Sequence, residues 1–169
     1  MVERPFFSAV ATNERYSTPM PTTLNSMLTV VRDRIEASGR FAEVTSSETG
    51  IQCRAQDVES DAWYSVDFTE AGVFIVLATP DRWLSESIEA DLMHNGDSLE
   101  ELIEAELIDL DVPAEAATVA PVERFQSDDF LYTYRSQVTD ETEETIIRWL
   151  LAYEAAFVEL GDMGGDDEA

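Results

Sequence analysis

The spacing of apolar residues changes along this chain, and each spacing predicts an element. Leu24, Leu28, Val31 and Ile35 fall on one stripe, with Met27 beside it. That pattern predicts an amphipathic helix over residues 22–38, started by Pro21, Thr22 and Thr23 and capped by Gly39. The period then drops to two. Residues 41–45 form a short β-prone run, and residues 46–50 a turn. Ile51, Cys53 and Ala55 alternate with Gln52, Arg54 and Gln56, so one face of that strand is apolar. After a loop at 57–61, Tyr64, Val66 and Phe68 alternate with Ser65 and Asp67, and residues 69–72 make a tight hairpin turn. The run 73–78 (VFIVLA) is apolar on both faces. It predicts a central strand that must be covered on each side, by helices or by a partner.

Residues 80–95 fit two periods. Leu84, Ile88 and Leu92 suit a helix, whereas Glu86, Ile88, Ala90 and Leu92 would share one face of a strand; the helix is preferred. Gly96 and Asp97 break this run. Ser98 and Glu101 form a capping box for a helix lined by Leu99, Leu102, Ile103, Leu107 and Leu110. Residues 114–121 connect to a hairpin of strands 122–127 and 130–138, with Phe130, Tyr132 and Tyr134 on one face. Thr139 is the expected cap of the last helix, whose stripe runs through Ile146, Leu150, Tyr153, Phe157 and Leu160, widened by Ile147, Leu151 and Val158. Trp149 falls one position off that stripe, which leaves it either core or a contact for a partner.

These elements predict an α+β fold: an antiparallel sheet in the order α-β-β-β-β-α-β-β-α, with helices packed on the sheet. A single domain is expected over residues 21–161, preceded by a poorly ordered arm at 1–20 and followed by an acidic tail at 162–169.

Charge narrows the partners. The 169 residues include no lysine, and ten arginines stand against thirty-six aspartates and glutamates, a net charge of -26. Buried unpaired carboxylates are costly, so this charge must lie on the surface. It repels nucleic acid and anionic membranes. A solubility coat is the simplest reading of it; adaptation to salt, a lure for basic partners and a polyanion mimic are the others. Cys53 is the single cysteine, which excludes an internally disulfide-stapled scaffold. No stretch approaches the roughly 20 apolar residues of a membrane span. The N-terminal run lacks the apolar core of a secretion signal, and a cytoplasmic protein is expected.

The chemistry is sparse. Cys53 lies on the apolar face of its strand, where a thiol behaves as a small hydrophobe. His94, the lone histidine, falls at a predicted helix end. One thiol and one imidazole cannot assemble a transition-metal site without carboxylates, and no phosphate-binding glycine motif is present. Neither a cofactor nor a metal is expected, and no catalytic group is assigned. What remains is interaction surface. Trp63, Phe74, Trp83 and Trp149 are the candidate partner contacts. Phe74 and Ala78 lie opposite Val73, Ile75 and Leu77 on the central strand, so helices packing one face alone would leave a docking or dimer surface.

The hairpin at 122–138 (VERFQSDDFLYTYRSQV) leads directly into the apolar run at 145–161 (TIIRWLLAYEAAFVELG), and residues 64–78 (YSVDFTEAGVFIVLA) form an earlier hairpin. In this order the chain resembles the YbjN-type proteins, which share a fold with the type III secretion chaperones, over roughly residues 22–161. The resemblance implies a convex sheet packed with helices, often dimeric, without catalytic residues. It transfers no site residue. The resulting expectation is a non-enzymatic, acidic protein-binding module, chaperone-like or regulatory, with a homodimer expected if a sheet face is open. A small-molecule binder or enzyme with a pocket between sheet and helices, and a polyanion-mimic inhibitor, are the alternatives.

Overall fold

In the computed structural model, residues 22–56 and 61–160 are described. The arm at 1–20, the tail at 162–169, most of the loop at 57–61 and the Leu24 side chain lie outside them. Helix α1 (Thr22–Ser38) leads into strands β1 (Phe41–Ser46), β2 (Gly50–Ala55), β3 (Trp63–Thr69) and β4 (Gly72–Thr79). Helices α2 (Arg82–Asn95) and α3 (Leu99–Asp109) follow, then β5 (Glu123–Gln126), β6 (Tyr132–Gln137) and α4 (Glu143–Val158). The strands form one six-stranded antiparallel sheet in the order β1-β2-β3-β4-β6-β5. The α+β class is as expected, but the helical stretch between the two strand blocks is two helices. Gly96, at φ 79°, closes α2 in the left-handed conformation, and Ser98 and Glu101 cap α3 reciprocally.

The register puts Ile51, Val66 and Ile75 in line across three strands, and Cys53, Tyr64, Leu77 and Tyr134 across four. These side chains share one core with Val31 and Ile35 of α1, Leu84 and Ile88 of α2, and Leu150, Tyr153 and Phe157 of α4. The hydroxyls on this side are absorbed by the helices: Ser136 bonds Tyr153 at 2.7 Å, and Ser85 of α2 bonds Tyr134 at 3.1 Å. Arg34 grips Glu144 through both guanidinium nitrogens, at 2.7 and 3.2 Å, and so ties α1 to α4. Arg40, just after α1, pairs with Glu154 of α4.

Gly50 is required where the first hairpin meets β3. A Cβ there would overlap the Val66 carbonyl oxygen. The outer margins of the sheet are irregular: the register of β1 slips between Phe41 and Glu43, and β5 is four residues long and exposed throughout.

Two sequence expectations fail locally. The cap of α4 is Thr142, not Thr139: its hydroxyl accepts from the Thr145 N–H, and Asp140 accepts from the Thr142 N–H. Phe130 does not share the strand face of Tyr132 and Tyr134. It sits in the turn before β6 at φ 64°, with its ring exposed. The Ser127 carbonyl and hydroxyl take the Phe130 and Leu131 N–H groups, and β6 starts at Tyr132, two residues later than the sequence suggests. Among the described residues, no helix is long and apolar enough to cross a membrane.

Candidate functional site

The alternation that buries one face of the sheet points the intervening side chains the other way. Trp63, Ser65 and Asp67 of β3 lie on this second face, paired in register with Ala78, Val76 and Phe74 of β4. Beyond them come Thr133 and Arg135 of β6, then Phe125 and Glu123 of β5. None of these joins the core that the helices share. The helices therefore pack one side of the sheet, and no described helix covers the other, where Val76 and Thr133 are closed in by their strand neighbours and keep 7% exposure each.

This face is not flat. A groove of about 480 Å³ crosses it, bounded at one end by the β1–β2 turn and at the other by the β5–β6 turn. Val76, Ala78, Ser65 and Asp67 contribute to its lining, with Phe125 and Leu131 beyond them. A smaller depression beside Trp63 is lined by Glu43, Gln52 and Arg54.

Two arginines lie against its aromatic rings. The Arg135 guanidinium sits 4.7 Å from the Phe74 ring centre and 5.4 Å from that of Phe125, and its Nε donates to Glu123 at 2.8 Å. Arg54 lies 6.0 Å from the Trp63 ring and pairs with Asp61 at 2.5 Å. A guanidinium over a ring face is attracted to it electrostatically. Burial pushes the Asp67 carboxyl above its usual range, opposed by the Ser65 hydroxyl and the charge of Arg135.

The four aromatic candidates separate clearly. Trp63 and Phe74 share the uncovered face and are half-buried. Trp83 is 78% exposed on the first turn of α2, on the helical side of the molecule. Trp149 is 0% exposed. It is a core residue that no partner meeting this surface could touch, and its indole N–H finds no hydrogen-bond partner among the described residues. It lies off the stripe yet inside because α4 packs against α1 and α3 as well as against the sheet, so its buried arc is wider than one stripe. Val76, Phe125, Asp67 and Arg135 were not singled out by the sequence. Val76 was within reach, since it lies midway between Phe74 and Ala78. Phe125 and Arg135 needed the β4–β6 pairing, which joins segments nearly sixty residues apart.

Cys53 faces the core, and burial pushes its thiol up to about 12, so it stays protonated and unreactive. His94 is exposed in the last turn of α2. Among the described residues no three histidine, cysteine or acidic side chains are grouped to hold a metal ion.

No protein-family model, no curated protein and no solved structure matches this chain.

Proposed function

We propose that the chain is a non-enzymatic, acidic protein-binding module, chaperone-like or regulatory, that engages a protein partner through the uncovered face of its sheet. One observation carries this reading: a grooved face with Trp63, Phe74, Val76 and Phe125 lies outside the core that the helices seal. Aromatic side chains and arginine at the centre of a patch are the usual anchors of protein recognition. The buried, protonated thiol of Cys53 gives no support to nucleophilic chemistry. The resemblance to YbjN-type proteins and type III secretion chaperones is part of the proposal. It rests on the order of elements along the chain, in which a hairpin runs into the last helix.

The test is a photo-crosslinking amino acid placed at Phe74, and separately at Glu101, which is exposed on α3. In native lysate at moderate salt, a discrete adduct is expected from position 74 and none from 101. Equal labelling at both positions, or none at either, overturns the reading.

The groove volume favours a second reading. About 480 Å³ falls within the ~300–1,000 Å³ typical of small-molecule sites. A metabolite that raises the melting temperature of the wild type but not of Val76→Glu would establish it.

A further inference from the structure

The groove mixes apolar side chains (Val76, Ala78, Phe125) with hydroxyls such as Ser65 and Thr133, holds Arg135 as its one lining cation among the described residues, and is acidic around its margin. Asp67 and Asp129 belong to its lining, Glu48 and Asp128 stand in the turns that bound it, and Glu43 lies beyond on β1. The cations that could offset them are already engaged. Arg54 is held by Asp61 and Arg135 by Glu123. The same is true across the described surface. Arg4 and Arg15 lie outside it, and each of the other eight of the ten arginines has a carboxylate partner. A partner of this face therefore finds carboxylates to satisfy and no unpaired arginine to meet.

Asp67 gives that demand a position. It lies on β3 across from Phe74, half-buried, with the Ser65 hydroxyl bonded to it. Arg135 acts on it from two strands away but is drawn off by Glu123. Burial already disfavours its charged form, and a cation brought against it would restore that form. The apolar surface of Val76, Ala78 and Phe125 lies beside it in the same groove.

We propose that the groove binds a segment of a partner protein that carries arginine or lysine next to apolar side chains, the cation seated against Asp67 and the apolar groups over Val76 and Phe125. This rests on the docking-face reading above and adds the chemistry of the partner. Electrostatic complementarity of this kind sets both the encounter rate and the choice of partner.

The probes are fluorescein-labelled peptides alternating leucine with arginine, with glutamine or with glutamate, titrated by anisotropy at about 150 mM salt, where long-range attraction is screened. The arginine peptide should bind, with the glutamine peptide at least about tenfold weaker, the loss expected of one partly desolvated charge pair. Asp67→Asn should weaken the arginine peptide by a similar factor. Asp97→Asn removes the same charge from the exposed α2–α3 turn and should change it less than about twofold. Phe125→Ser should weaken the arginine and glutamine peptides alike. Melting curves of each variant establish that it is folded, and the wild-type peptide comparison stands even if one is not. Equal losses from Asp67→Asn and Asp97→Asn would mean diffuse attraction and overturn the proposal. If the glutamine peptide binds as tightly as the arginine peptide, the basic partner is wrong while the docking face stands. If no peptide binds, both fall.

Discussion

On β4, Ile75 and Phe74 are neighbours in sequence and opposites in circumstance. Ile75 is sealed on the helical side, in line with Val66 and Ser136, and belongs to the common core. Phe74 lies on the opposite, uncovered face, under the Arg135 guanidinium. A strand that is apolar on both faces must find two covers, and here the chain's own described helices provide one. The same eight residues thus anchor the fold on one side and offer a surface on the other. Apolar character alone does not distinguish these roles; what stands over each side chain does.

The strongest challenge to this division is Phe157→Ala. Its ring is fully buried, 5.2 Å from that of Tyr134 and 5.3 Å from that of Tyr153. Truncation should cost about 3–5 kcal/mol in urea denaturation, and a loss under about 1 kcal/mol would mean that the helical layer is not packed as described. Next comes the neighbouring pair itself. Ile75→Ala should cost about 2–5 kcal/mol, but Phe74→Ala about 1 kcal/mol or less. Equal losses would show that something covers both faces and would end the comparison.

Gly50→Ala tests the hairpin that walls the groove. The added methyl meets the Val66 carbonyl, so about 1–3 kcal/mol should be lost, with β2 displaced from β3; an unchanged denaturation midpoint would refute the close approach.

The smallest effect is on pH. Asp67 on the open face, and Glu154 and Glu106 on the helical side, are all raised, chiefly by burial. For a carboxyl with a raised folded pKa, the native state binds the extra proton. Stability therefore falls as pH rises from the unfolded values near 3.8 and 4.5 through the folded ones, then levels off. Glu144, lowered by Arg34, acts in the other sense, losing its contribution as pH falls below the ordinary range. As pH falls from neutral toward the ordinary carboxylate range the raised group takes up its protons first, so the urea midpoint should rise on that first stage of acidification. Glu154→Gln should flatten that rise more than Glu144→Gln does. A midpoint that falls over this interval would contradict the assignment.

The helices and most strands were legible because their apolar periods are clean: Leu84, Ile88 and Leu92 settled α2, and Ser98 with Glu101 fixed the start of α3. Local alternatives defeated the rest. Thr139 and Thr142 are both competent caps, and the choice between them rests on where the chain leaves β6. Phe130 satisfies a strand pattern, but Ser127 and its neighbours take it into a turn. The site was half legible. Alternation placed Trp63 and Phe74 on faces, but nothing local tells that α4 is enclosed by α1, α3 and the sheet with Trp149 inside, or that β6 brings Arg135 over Phe74. Those facts come from long-range pairing.

The two flanks of the sheet carry a last consequence. With a slipped register on β1 and a stubby, charged β5, neither side presents a long straight row of unpaired amides for another molecule to extend. Crowded copies are thereby guarded against growing into fibrils, and any encounter between molecules is steered away from the rims.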